Sequence, residues 1–172
     1  TKSRLLLIVT IMLLGLTTAT IINISINFRK YSIDSEIEKA KMAANIVKDG
    51  LTSHMVNGIM DKRQYFLNRI SGNDDVEFLR LIRSEGVIKQ YGKGMYEETA
   101  KDSIDKEVLN SGKMVKKITE TSDNITLRVT IPYIATVDNS SASCLNCHDV
   151  KKGETLGAIS MEFDISHMRN TG

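Results

Sequence analysis

Cys144 and Cys147 are the only cysteines in this 172-residue chain, and they stand in the run Cys144-Leu145-Asn146-Cys147-His148. Two thiols at this spacing can add across the two vinyl groups of a porphyrin. A histidine directly after the second thiol is placed to ligate the iron. The run reads as the attachment signature of one covalent haem c, with Cys144 and Cys147 as thioether positions and His148 as proximal ligand. Other chemistries fit less well. A zinc site needs two more donors, and only His54 and His167 remain, with no second cysteine pair. A redox pair of the thioredoxin type sits at a helix start after a strand, near the N-terminus. A Cys144–Cys147 disulfide is the remaining plain reading.

The sixth iron position calls for Met, His, water or nothing. A thioether is a reasonable partner for haem iron and raises its potential relative to two imidazoles. Of the eight methionines, Met12 lies in an apolar run and Met161 has the pattern of a strand core. Met60, at the end of the expected long helix beside Gly58, where backbone can approach a flat cofactor, is the leading candidate for distal ligand. Met55, His54 and Met95 are alternatives, and gap-filling in a core is the ordinary use of any one of them. Arg63, Tyr65 and Arg69 are candidate partners for the propionates, although such a run is commonly a solvated face.

Several elements must position these groups. Leu5 to Ile26 contains 22 residues without a charge, enough to cross a hydrocarbon layer of about 30 Å at about 1.5 Å per residue. Lys2 and Arg4 precede it and favour a cytoplasmic N-terminus, although Arg29 and Lys30 weaken the asymmetry. A cleavable signal has a shorter apolar region and a small-x-small site, which Thr17-Thr18-Ala19-Thr20 does not supply, so an uncleaved anchor is expected. Haem attachment to this motif takes place outside the bacterial cytoplasm. Residues 1–28 are therefore expected to anchor the chain in the inner membrane, with residues 29–172 forming a periplasmic domain. The start at Thr1 and the end at Gly172 read as a portion of a longer protein. Net charge is +2, with acidic and basic residues mixed and no Trp, so nothing recommends nucleic-acid binding.

From Ile33 to Met55 apolar residues recur every three or four positions, which predicts a helix continuous with the span. Its narrow stripe suits either a dimer seam or the domain's own sheet. A second helix is expected over Asp61–Ile70, before a turn at Ser71–Asp75. Strands are expected at Val76–Arg83, Lys113–Glu120, Ile125 through Pro132 towards Val137, and Thr155–Ile165. Pro132 suggests an edge or bulge. Gly86–Gly94 reads as a glycine-punctuated loop, Glu97–Leu109 as a helix closed by Asn110-Ser111-Gly112, and Asp138–Gly153 as the polar loop holding the haem motif. The expected class is α+β, with a long N-terminal helix and an antiparallel sheet.

The motif ends only 24 residues before the last residue, unlike small soluble cytochromes c, in which it comes early. Helical-bundle cytochromes place it late, but period-two alternation on both sides of the loop argues against a bundle. The anchor, the long helix, Val56-Asn57-Gly58-Ile59-Met60, the late Cys144-Leu145-Asn146-Cys147-His148 and the closing Leu156-Gly157-Ala158-Ile159-Ser160-Met161-Glu162-Phe163 carry a resemblance that spans nearly the whole chain. The chain resembles the periplasmic c-type haem-containing PAS-like sensor domains of bacterial methyl-accepting chemotaxis proteins and related sensor kinases. That resemblance implies a PAS-like sheet with the haem beside it, a homodimer that can exchange helices, and a cytoplasmic signalling module in the full-length chain. It points to the Met60 segment for the distal ligand. The expected role is sensing of redox state or of a small diatomic ligand, through a change at the sixth position next to the helix that enters the membrane. The alternative is a membrane-anchored monohaem cytochrome c that carries electrons to a redox partner. No acid–base constellation flanks the haem loop, so an enzyme is not expected.

Overall fold

The uncharged run and the amphipathic stripe lie on one unbroken helix, α1 (Lys2–Val56). The chain's single proline, Pro132, lies elsewhere, so nothing interrupts the helix between them. In the computed structural model, residues 2–72, 76–95, 98–137 and 143–167 are described. After α1 come a 3₁₀ turn (Met60–Lys62), α2 (Arg63–Ser71), β1 (Val76–Arg83), α3 (Glu85–Tyr91), α4 (Ser103–Ser111), β2 (Val115–Glu120) and β3 (Ile125–Ile134). A second 3₁₀ turn (Cys144–Asn146) and β4 (Thr155–Asp164) complete the order. The fold is α+β. Its four strands form one antiparallel sheet in the order β1-β4-β3-β2.

The outer part of α1 covers one face of this sheet. Ile37, Ala40, Ala44, Val47 and Leu51 are buried with Leu127 and Val129 of β3 and Ile159, Met161 and Phe163 of β4. The stripe on α1 is therefore spent on the domain's own sheet. Tyr133 fastens the crossing by donating its hydroxyl to the Ala44 carbonyl at 2.9 Å. A register shift between Val76 and Phe78 makes a bulge in β1. The extra residue returns Val76 to the apolar face with Leu79 and Leu81, where strict alternation would turn it away. Leu5 to Ile26, by contrast, is exposed along its whole length, and α1 is the one helix among the described residues long and apolar enough to cross a membrane.

The other face of the sheet lies under α4 and combines a small apolar cluster, Ile82, Val108 and Ala158, with a buried polar one. Asp105 is fully buried. It accepts from Arg80 Nη2 at 3.2 Å, from Arg128 Nη2 at 2.6 Å and from the Lys101 amide at 2.8 Å. Arg128 also pairs with Asp102 at 2.5 Å and donates to Ser160 at 3.0 Å. Burial pushes the Asp102 carboxyl up, but the Arg128 guanidinium and the amides of Asp105 and Ile104 outweigh it and hold the group below the usual carboxylate range. Asp102 also caps α4, accepting from the Asp105 amide. This cap explains why the helix begins at Ser103 rather than near Glu97, which itself falls outside the described residues.

One more expectation needs correction. Gly86–Gly94 is not wholly loop, because Glu85–Tyr91 is helical. Ser84 caps it by accepting from the Val87 amide, and Gly92 ends it at φ +80°. The glycines that suggested a loop sit in the first turn and just past the end, where a helix tolerates them. Pro132 stands where the sequence predicts an edge or bulge: β3 is an interior strand, but β2 pairs with it only as far as Thr130, and a register shift follows between Tyr133 and Ile134. Pro132 therefore meets β4 alone, and its missing N–H breaks no ladder.

Strand direction fixes the two poles of the domain. The β2–β3 turn, the end of β4 and the exit of α1 from its apolar run meet at one pole. There Arg29 pairs with Glu120 at 3.1 Å, and the Ile165 amide donates to Ile125 at 2.8 Å. The segment joining β3 to β4 carries the cysteines and lies at the opposite pole, one ten-residue strand away, or about 33 Å at 3.3 Å per residue.

Close packing inside this sheet yields a first expectation. A Cβ on Gly157 would lie 2.3 Å from the Ile82 carbonyl oxygen across the β1–β4 ladder. Gly157→Ala is expected to destabilise the fold by about 1–3 kcal/mol, measured as a lowered midpoint in thermal or urea unfolding.

Candidate haem-attachment site

Cys144-Leu145-Asn146 forms a single 3₁₀ turn. Ser143 opens it, its hydroxyl accepting from the Leu145 amide, and the turn closes with the Cys147 and His148 amides both donating to the Cys144 carbonyl, at 3.3 and 3.0 Å. The two thiols are therefore held on one tight turn, and they are not bridged to each other. Residues 138–142 of the expected polar loop lie outside the described residues.

The C-terminal end of α3 holds this turn. Gln90 Nε2 donates to the Cys147 carbonyl at 2.9 Å, and Gln90 Oε1 accepts from the Asp149 amide at 2.9 Å. The Tyr91 hydroxyl donates to the same Cys147 carbonyl. Its ring stands edge-on to the His148 imidazole, with centroids 5.3 Å apart and planes at 79°. His148 is half-buried, and its Nδ1 atom is enclosed without a hydrogen-bond partner among the described residues. Burial pushes its pKa down, which favours the neutral imidazole that a metal requires.

No family model matches this chain, and no curated protein matches it. The chemistry of the site must therefore be judged from its own residues. A haem attached through two thioethers asks for paired free thiols, a neutral imidazole just beyond them, and one imidazole nitrogen left for iron. Cys144, Cys147 and His148 meet each requirement, and with Nδ1 turned inward Nε2 is the nitrogen available for ligation. A metal ion held by side chains alone fits less well. Among the described residues no three His, Cys, Asp or Glu converge on one point.

Met60 lies outside α1, in the 3₁₀ turn beyond it, because the helix ends at Val56 and Gly58 turns the chain at φ +67°. It is half-buried and packs against the core cluster between α1 and the sheet. A buried polar chain runs from its backbone to the haem-motif side. Arg63 Nη1 donates to the Met60 carbonyl at 2.7 Å, and Arg63 Nε pairs with Glu98 at 2.5 Å. Glu98 pairs in turn with Arg83 at 2.6 Å, and Arg83 donates to the Tyr91 and Gly92 carbonyls at 3.4 and 3.1 Å. Arg63 is thus committed to Glu98 rather than free for a propionate, while Tyr65 and Arg69 are exposed. Among the other candidates, His54 bonds the Gly50 carbonyl through Nδ1 and lies against Phe66, and Met55 and Met95 are exposed. Met161 is buried in the sheet core and His167 is exposed, as expected.

Sequence reading missed Gln90, Tyr91, Arg83 and Glu98. Gln90 and Tyr91 depend on α3, which the glycines concealed. The one available signal was Ser84 followed by Glu85, an N-cap with an acidic first turn.

Proposed function

We propose that the chain is the periplasmic sensor domain of a membrane-spanning bacterial receptor, of the chemotaxis or sensor-kinase type, with a PAS-like sheet and one haem c. Cys144 and Cys147 hold the haem, His148 is its proximal ligand, and Met60 is the leading distal candidate. When bound, the haem supplies a one-electron couple and a sixth position open to a soft or diatomic ligand. The observation that carries this reading is the paired thiols followed by a half-buried histidine whose enclosed Nδ1 leaves Nε2 for iron.

The protein's own residues divide the remaining work. The Cys144 turn and α3 hold the proximal side. The Arg63–Glu98–Arg83 chain ties the Met60 turn to the end of α3, so a displacement at either end is felt at the other. Two routes lead to the membrane-facing pole. One is β4, which starts seven residues after His148 and ends beside Ile125. The other is α1, which runs without a break from the Met60 turn into the apolar span. A signal that biases the Met60 turn therefore acts on a rigid rod entering the membrane.

Visible spectra of both redox states, with and without CO or NO, separate this reading from a membrane-anchored electron carrier. A sensor binds the gas and changes its spectrum, whereas a carrier remains six-coordinate and unresponsive. Met60→Ala is expected to alter the reduced spectrum and to speed CO binding by at least about tenfold, the effect of removing a ligand that must otherwise leave first. Unchanged spectra and unchanged CO binding would remove Met60 from the mechanism.

A further inference from the structure

We infer that Gln90 is the positioning residue of the proximal histidine, with Tyr91 as its companion; the inference rests on the haem reading above. One side-chain amide grips the backbone on both sides of His148. It donates to the carbonyl of the residue before and accepts from the amide of the residue after, each at 2.9 Å. Only a primary amide offers a donor and an acceptor in this paired geometry. A carboxylate keeps the acceptor but sets an oxygen against the Cys147 carbonyl, and a methionine of similar length keeps neither bond.

The consequence falls on the orientation of His148. Its Nδ1 has no hydrogen bond to hold the ring among the described residues. In many metal sites that bond, from the outer nitrogen of the histidine, fixes the imidazole. Here the task passes to the backbone and to ring packing. Gln90 immobilises the peptide units on either side of His148, and the Tyr91 ring edge limits rotation of the imidazole. The Tyr91 hydroxyl shares the Cys147 carbonyl with Gln90, so both restraints converge on one atom. The other end of α3 is fixed independently by its Ser84 cap, and its last carbonyls are held by Arg83.

Gln90 is exposed, so replacing it costs no core packing and leaves a folded protein to test. The test uses the full chain in detergent and compares Gln90→Met and Gln90→Glu with the unsubstituted protein. Three quantities are read: covalent haem content, the share of the ferrous NO adduct that has lost its histidine, and hydrogen exchange of the Asp149 amide. The histidine-free share is expected to rise about three- to tenfold in Gln90→Met, the effect of two lost hydrogen bonds, with haem content unchanged. Gln90→Glu should fall between the two, because it retains the bond from Asp149. In a haem-free Cys144→Ser/Cys147→Ser background, the Asp149 amide should exchange faster once Gln90 becomes Met. An unchanged histidine-free share in Gln90→Met overturns the inference and leaves the haem reading intact, as does lower haem content with the share unaltered. Absence of covalent haem from the unsubstituted chain defeats the haem reading itself, and the exchange measurement then still reports whether Gln90 holds the segment.

Discussion

Changing both Cys144 and Cys147 to serine is expected to abolish covalent haem entirely, while the chain remains folded. The thiols are on the surface-side turn of a segment that packs through Gln90 and Tyr91, and neither belongs to the core clusters. Their loss therefore removes chemistry without opening a cavity. Single substitutions should behave differently from the pair. Cys144→Ser or Cys147→Ser leaves one thioether and one free vinyl, so a reduced yield of covalent haem with a red-shifted absorption band is expected. His148→Ala should retain both thioethers but lose the proximal ligand, giving a covalent haem with an altered spectrum. Visible spectroscopy of the purified chain, in the native state for the ligand and after denaturation for the thioethers, distinguishes the three outcomes.

The second large effect is on stability. Asp105 is a fully buried carboxylate placed between Arg80 and Arg128, and it also accepts the Lys101 amide. Asp105→Ala leaves the Arg80 guanidinium, which already carries one enclosed nitrogen without a hydrogen-bond partner among the described residues, without the carboxylate it pairs with. Removing one partner of a buried ion pair costs about 3–5 kcal/mol, which corresponds to roughly 6–20 °C in melting temperature for a domain of this size. Arg128 retains Asp102 and Ser160, so the loss is centred on Arg80 and on the start of α4. Asp105→Asn, which keeps an acceptor of the same shape, should cost clearly less. Equal melting temperatures for Asp105→Ala and the unsubstituted chain would show that this cluster does not hold α4 on the sheet.

Much of the architecture was legible because its signals are periodic. The stripe from Ile33 to Leu51 has helical spacing, Ile125 to Ile131 alternates, and Val76–Arg83 emerges as β1 with the bounds expected. Whether the stripe on α1 faces a second chain or the domain's own sheet depends on tertiary packing, and no spacing rule encodes that choice. The α3 helix was hidden because glycine signals turns and helix ends alike, and Gly86 and Gly92 bracket only seven residues. Of the site, the three residues in the motif were visible because thiol and imidazole spacing is itself the chemistry. Gln90 and Tyr91 were not, because they act through backbone groups of residues more than fifty positions away. Met60, the candidate distal ligand, does not stand on the long helix where the sequence put it. It belongs to the turn beyond α1, since Gly58 redirects the chain two residues earlier.

The two poles refine the mechanism that the sequence suggested. With the Cys144–His148 run one strand-length from the end where α1 enters its apolar run, a signal of the proposed kind must cross the whole domain. Both α1 and β4 make that crossing without a break. Val47 and Leu51 of α1 and Ile159 and Met161 of β4 belong to a single buried core. A packed core of this kind transmits a shift rather than absorbing it.

The proposed function requires one haem per chain, bound through Cys144 and Cys147. The most direct test is to express the full chain in a bacterium that attaches c-type haem, denature the purified protein and extract it with acidified organic solvent. One haem per chain that stays with the polypeptide, with the pyridine spectrum of a porphyrin lacking both vinyls, is the expected result. A folded, exported chain that carries no haem, or that releases all of it to the solvent, would contradict the account.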